Sequence, residues 1–198
     1  TESRRLLVKQ VASSEDNPIN WLPKKMRRES EGDYRSRCVV EWIHKFCSYS
    51  TGQPSPFRLR DWQISEIIKP IWGTLRSNGI RRYRVAYISL PRKQGKTELL
   101  GALSLYELYH SAAGSQLIAA ASNREQAGLL HRAAARMCEA NPLLQGSSRI
   151  YWPTKQINLS STGSFLKAIP SDAGGQLGLN PSFIVCDELC VWPDTRLW

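Results

Sequence analysis

The sequence predicts an α/β fold with a mainly parallel central sheet, preceded by a small helical segment, and three observations carry that expectation. Strand-like and helix-like stretches alternate from residue 81 onward. A polar break, Pro91-Arg92-Lys93-Gln94-Gly95-Lys96-Thr97, separates a strand-like run from a helix-like one. A short apolar run, Phe183-Ile184-Val185-Cys186, ends in two adjacent carboxylates, Asp187 and Glu188.

In chain order, residues 1–34 mix charge, Pro18, Pro23 and polar clusters such as SSEDN without periodicity, which predicts a basic, extended or partly disordered arm. Residues 35–80 form a helical segment. Between Tyr34 and Tyr49 the apolar Val39, Val40, Ile43, Phe46 and Cys47 share one helical face, and GQPSP stops that helix. A second helix carries the stripe Ile64, Ile67, Ile68 and Ile71, with Asp61 as its expected N-cap and Gly73 near its end.

The third segment, residues 81–198, opens with RRYRVAYISL, rich in Val, Ile and Tyr, and predicts a strand over Arg81–Leu90. Beyond the polar break, Glu98–Tyr109 is apolar almost all round, as a helix buried on most sides would be. SQLIAAAS predicts a second strand. Asn123 with Gln126 three residues on has the form of a capping box for a helix running through Met137 and closed by Asn141-Pro142. Strands are expected at RIYW, QINLS and SFLKAI, and then at Phe183–Cys186.

The composition narrows the class. With 198 residues and 41% apolar content the chain can bury one sizeable core. It lacks a run of about 18 apolar residues and the apolar stretch of a signal peptide, which predicts no membrane span. The five cysteines have neither paired CxxC spacing nor a nearby histidine pair, so they are expected to be reduced and mostly buried, with no structural metal. Residues 1–94 hold 19 of the 27 Lys+Arg but 9 of the 17 Asp+Glu, so the formal charge of +10 sits in the first half. Such a field suits a polyanion such as DNA or, equally, a solvated surface.

The break at residues 91–97 has the chemistry of a P-loop. Gly95 lets backbone N–H groups approach phosphate oxygens, Lys96 can reach the β and γ phosphates of ATP, and Thr97 can ligand Mg²⁺. Gln94 joins the same cradle. The usual first glycine is replaced by Leu90, and a G-K-S/T tripeptide alone arises by chance in roughly one chain of this length in ten. A second motif adds what the tripeptide lacks. Asp187 lies 91 positions after Lys96 at the end of an apolar strand, where it can hold Mg²⁺, while Glu188 can orient or deprotonate the attacking water. Together the two imply a P-loop NTPase core of the additional-strand, catalytic-glutamate type.

With these motifs placed, the chain resembles the large terminase subunit family of tailed bacteriophages over most of residues 35–198. Four stretches carry the resemblance: PFRLRDWQ (56–63), LPRKQGKTELLGALSLYELY (90–109), AAASNREQAGLLHRAAARM (119–137) and GGQLGLNPSFIVCDEL (174–189). It implies that Gln63 contacts adenine with Trp62 beside it, and that Arg92, in a basic, glycine-poor Walker A, senses the γ phosphate. It also implies a motor moving double-stranded DNA into procapsids in the host cytoplasm, as a homo-oligomeric ring with a portal protein and a small terminase subunit. Leu177 stands before Gly178 where many relatives carry a trans-acting arginine, and Arg124 is the substitute candidate. By the same resemblance a coupling motif and an RNase H-like nuclease would follow Walker B, so the expectation is an incomplete ATPase core without its nuclease.

Two other classes fit the motifs. A helicase-like translocase also uses a glutamine ahead of Walker A and a DE pair, although Leu189 and Cys190 depart from its usual DExH or DExD. A non-catalytic P-loop protein could bind DNA or a partner through the basic first half.

Overall fold

The computed structural model describes residues 17–53, 55–171 and 179–192. The first helix, α1, spans Glu31–Phe46 and begins where Ser30 accepts from the Asp33 backbone N–H. It therefore starts a few residues ahead of the expected Tyr34, because the serine caps it and Glu31 and Asp33 suit its positive end. Residues ahead of it lie against the core. Trp42 donates from Nε1 to the Pro18 carbonyl at 3.0 Å, and the Asn20 N–H reaches the Tyr109 carbonyl at 3.1 Å.

The second helix, α2, makes one α turn at Asp61–Gln63 and continues as a π-helix over Ile64–Gly73. Pro70, which has no N–H and crowds a regular α-helix, sits within the π segment. Ile67, Ile68 and Trp72 are buried and Ile64 and Ile71 pack partly against the core, so the stripe faces inward as expected. The N-cap is Arg60 rather than Asp61. Its N–H is taken by the Gln63 Oε1 at 2.9 Å, so a glutamine three residues on closes the helix start.

Helix α3, Lys96–His110, is buried on most sides, as its all-round apolar sequence predicts. Strand β1, Gln116–Ala121, is followed by α4, Arg124–Ala140, where Asn123 Oδ1 accepts from the N–H groups of Glu125 and Gln126. A short helix not anticipated from sequence, α5 (Pro142–Ser147), comes next. Asn141 caps it and Pro142 takes its first turn, so the pair that ends α4 also starts α5. Then come β2 (Ser148–Tyr151), β3 (Gln156–Leu159), β4 (Phe165–Pro170) and β5 (Pro181–Cys186).

These strands form one sheet in the order β2-β3-β4-β1-β5. Its centre is parallel, β1 lying between β4 and β5, and its far side is antiparallel, so the sheet is mixed. Residues of β1 alternate between faces. Leu117, Ala119 and Ala121 join the main core with α3 and α4, while Ile118 and Ala120 join a smaller cluster with Ile169, Cys186 and Trp192. The main core is continuous with the helical segment through Trp42, fully buried, whose ring lies 5.4 Å from Tyr109 and 5.9 Å from Tyr106 on α3.

One expected element is absent: the segment Arg81–Leu90 makes no strand and has only an isolated bridge, Leu75 to Arg81. A strand requires a ladder, and beyond the Arg82 N–H, which reaches the Thr74 carbonyl at 2.8 Å, these residues pair with no neighbouring strand among the described ones. Val85 and Tyr87 are more than two-thirds exposed in consequence, and only Ile88 and Leu90 pack against the core. The outer edge of β5 pairs with no strand among the described residues, and Ile184 there is half-exposed.

Of the cysteines, Cys38, Cys47 and Cys138 are buried as free thiols, Cys186 is half-buried and Cys190 is exposed. No helix among the described residues is long and apolar enough to cross a membrane.

Candidate active site

The amino end of α3 and the carboxyl end of β5 meet at one edge of the sheet. Gly95 caps α3 with φ 74° and ψ 24°, a left-handed conformation that glycine adopts without steric cost. That turn releases Lys96 and Thr97 into the first helical turn, where unpaired N–H groups and the helix dipole favour an anion. Lys93 ahead of it is also left-handed, at φ 65°.

Across the edge, the Asp187 N–H continues the parallel ladder by donating to the Ala120 carbonyl at 2.8 Å. Its side chain is buried, and its Oδ1 accepts from the Glu188 N–H at 3.0 Å. Trp192 donates from Nε1 to the Asp187 carbonyl at 3.0 Å and fixes the turn from outside. Glu188 has φ 52°, a conformation of real cost for a non-glycine residue, and its carboxylate meets Lys96 beside the Gly95 turn.

Lys96 spans the gap. Its Nζ lies 2.6 Å from Glu188 Oε1 and 3.2 Å from Asp187 Oδ1, so residues 91 and 92 positions apart form one charged triad. Burial works against the ammonium charge, but the bond to Glu188 and the field of Asp187 outweigh it and hold the Lys96 amine above its ordinary range. The hydrogen bond from Lys96 holds the Glu188 carboxyl below its ordinary range, with Arg92 adding a smaller pull.

A cleft of about 430 Å³ opens over the triad, lined by Leu90, Pro91, Arg92, Lys93, Gly95, Lys96, Thr97, Glu98 and Glu188. It thus gathers Arg92, Gly95, Lys96, Thr97 and Glu188, with Asp187 behind them. Gln94 does not line it, and its side chain accepts from Arg60 Nη1 at 3.4 Å. Gln63 and Trp62 do not line it. Gln63 is buried with its oxygen committed to the Arg60 N–H, and Trp62 packs partly against the core. Arg124 lies at the start of α4, exposed, with Nη2 3.4 Å from the Pro153 carbonyl. Leu177 and Gly178 fall outside the described residues.

Two contributors were not singled out from sequence. Arg60 links the turn carrying Gln63 to Gln94, just ahead of the Gly95 turn. Glu98, in the first turn of α3, accepts from the backbone and hydroxyl of Ser50, and Arg136 of α4 donates to the Ser50 carbonyl at 3.1 Å. Arg60 lies inside the PFRLRDWQ stretch and could have been noticed there; Ser50 carries no sequence signal. A second groove of about 300 Å³, between α1 and the π-helix, is lined by Asp33, Lys69 and small residues and offers no such triad.

This arrangement of a glycine turn, lysine and paired carboxylates coincides with a family match. Residues 61–198 match the family described as terminase large subunit, ATPase domain. The chain belongs to that family. Consistently, the large terminase subunit of Enterobacteria phage HK97 is 27% identical over 158 residues, which is 78% of this chain and 30% of that protein. The crystal structure of the HK97 bacteriophage large terminase superposes with a TM-score of 0.67 at 27% identity, covering 77% of this chain and 30% of the other. The terminase sequence here therefore spans about 30% of the length of the relative it matches. The matched region begins at Asp61, so the α2 turn and the Lys96, Asp187 and Glu188 triad fall within it, while α1, Ser50 and Arg60 lie ahead of it.

Proposed function

We propose that this chain binds ATP at the Gly95–Thr97 turn and hydrolyses it as the front part of a terminase motor that moves double-stranded DNA into procapsids. The observation that carries this reading is the placement of Lys96 between Asp187 and Glu188 at the carboxyl edge of the sheet. In that resting arrangement the single ammonium is shared by both carboxylates and offsets part of their charge. To reach a β or γ phosphate, its ammonium must leave Glu188, and the freed carboxylate is then a base within reach of a water molecule. Lys96 thereby couples occupancy of the phosphate turn to the availability of the base.

Arg92 lines the same cleft and supplies a second, permanently charged donor for the terminal phosphate. Asp187 and Thr97 offer the hard oxygen ligands that Mg²⁺ prefers, and the carboxylate pair already accommodates a cation in the form of the Lys96 ammonium, so the donor set fits that ion. When bound, Mg²⁺ supplies charge neutralisation at the phosphates. Gln63, with its oxygen fixed by Arg60, has its amide group to offer an adenine, and Trp62 secures the turn that holds it.

This reading takes the core as the additional-strand, catalytic-glutamate type of P-loop fold, with Glu188 as the catalytic glutamate. The same reading takes the working protein as a ring in the host cytoplasm, with portal and small-subunit partners. Turnover of ATP by the full-length protein, alone and with duplex DNA, tests it. Loss of turnover in Lys96→Ala and Glu188→Ala with folding intact is the expected result, and undiminished turnover in either variant would overturn the site.

A further inference from the structure

The turn between β2 and β3 sits at the same edge of the sheet as the candidate active site, because the Lys155 carbonyl accepts from the Ala168 N–H near the carboxyl end of β4. Three strand steps separate β3 from β5, roughly 14 Å, well beyond ion-pair contact with the Lys96 triad.

This turn carries a tight group of cations. Lys155, left-handed at φ 51°, lays its Nζ against the Arg124 carbonyl, and Arg124 reaches back to the Pro153 carbonyl. Arg132, two turns along α4, is exposed and close enough to lower the proton affinity of Lys155, after burial and Arg124, while Glu125 opposes them among the described residues. None of the three cations makes an ion pair among the described residues, whereas Arg35, Arg37, Arg81 and Lys96 all do. Mutual repulsion of this kind is relieved by an incoming polyanion.

The Lys155 side chain lies across α4 at Gly128, where a Cβ would come 2.7 Å from its Nζ. Trp152 is nearly half-exposed at the tip, its ring edge-on to the buried His131 at 5.4 Å between centroids. His131 is tied to the Gln156 backbone by a hydrogen bond, while its buried Nε2 has no hydrogen-bond partner among the described residues.

We infer that the β2–β3 turn and the first half of α4 form a docking surface for the phosphate backbone of duplex DNA, through Arg124, Arg132 and Lys155 around Trp152. The inference rests on the duplex-translocation reading above. A single terminal phosphate would be met by one guanidinium; three unpaired cations spread around an exposed aromatic match a run of phosphates instead.

Fluorescence anisotropy of the 198-residue chain with a short labelled duplex, across a series of KCl concentrations, tests it. Each phosphate contact contributes about 0.9 to the slope of log affinity against log salt, so Arg124→Ala/Arg132→Ala flattens the slope by about two, and adding Lys155→Ala by about one more. Arg124→Lys/Arg132→Lys keeps the wild-type slope, which separates charge from folding. Identical slopes in the wild type and the alanine variants would overturn this surface alone. No duplex binding by the wild type would overturn it together with the DNA reading. Full duplex affinity with ATP turnover lost would assign the cations to a neighbouring subunit's nucleotide and overturn the proposal.

Discussion

Replacing Glu188 by Gln removes one end of the ion pair that occupies Lys96 while leaving size and backbone preference nearly unchanged. The Lys96 side chain is 30% exposed and that of Glu188 43%, so the attraction across 2.6 Å is strongly screened by solvent. A half-exposed pair of this kind is worth up to about 1 kcal/mol, and Asp187 remains at 3.2 Å as a weaker partner. Freeing the lysine therefore tightens a non-hydrolysable ATP analogue by up to about fivefold, since 1.4 kcal/mol corresponds to a factor of ten. Turnover moves the other way. Loss of a general base lowers it by about 10²–10⁴-fold. Isothermal titration with the analogue, and phosphate release with ATP, read the two effects separately. Weaker analogue binding in Glu188→Gln would refute the idea that the resting contact competes with nucleotide for Lys96.

Three other outcomes follow from the geometry. Gly95→Ala forces a Cβ residue to φ 74°, which costs about 1–2 kcal/mol even though the space around it is open; a lower melting temperature with weaker nucleotide binding is expected, and an unchanged melting temperature would contradict the assignment. Trp42→Ala empties the junction of α1 and α3 and lowers stability by about 3–5 kcal/mol in chemical denaturation, a loss below 1 kcal/mol being incompatible with its burial. The third concerns pH. Arg37 grips Glu29 with two bonds of 2.7 Å and holds its carboxyl down at about 2 against an ordinary 4.5. A depressed carboxyl stabilises the fold above its unfolded value and loses that contribution as pH falls through the window from 4.5 to about 2. The stability gap between wild type and Glu29→Gln should close across that window, and a gap independent of pH would exclude the pair as its source.

Much of this architecture is legible in the sequence because local signals and tertiary demands agree. Asn123 both looks like a cap and caps, and Glu98–Tyr109, apolar almost all round, is buried on most sides. RRYRVAYISL has strong strand propensity yet forms no strand, because propensity supplies side chains that suit a sheet but not the partner strand that completes the ladder. Asn141-Pro142 signals an end as readily as a beginning, which hid α5. At the site, the types and order of Gly95, Lys96, Thr97, Asp187 and Glu188 point to phosphate chemistry, but nothing in a 91-residue interval reveals that Lys96 rests on both carboxylates. Gln63 is a case of double use: the residue expected to face a base is also the one that closes its own helix start.

The central claim is that the triad at the sheet edge is a nucleotide site, and an equilibrium titration of the chain with ATP and Mg²⁺, wild type against Lys96→Ala, tests it most directly. Saturable binding by the wild type, weakened at least about tenfold in the variant and so by at least about 1.4 kcal/mol, is the predicted result. Equal affinity in the two, with both folded, would contradict it.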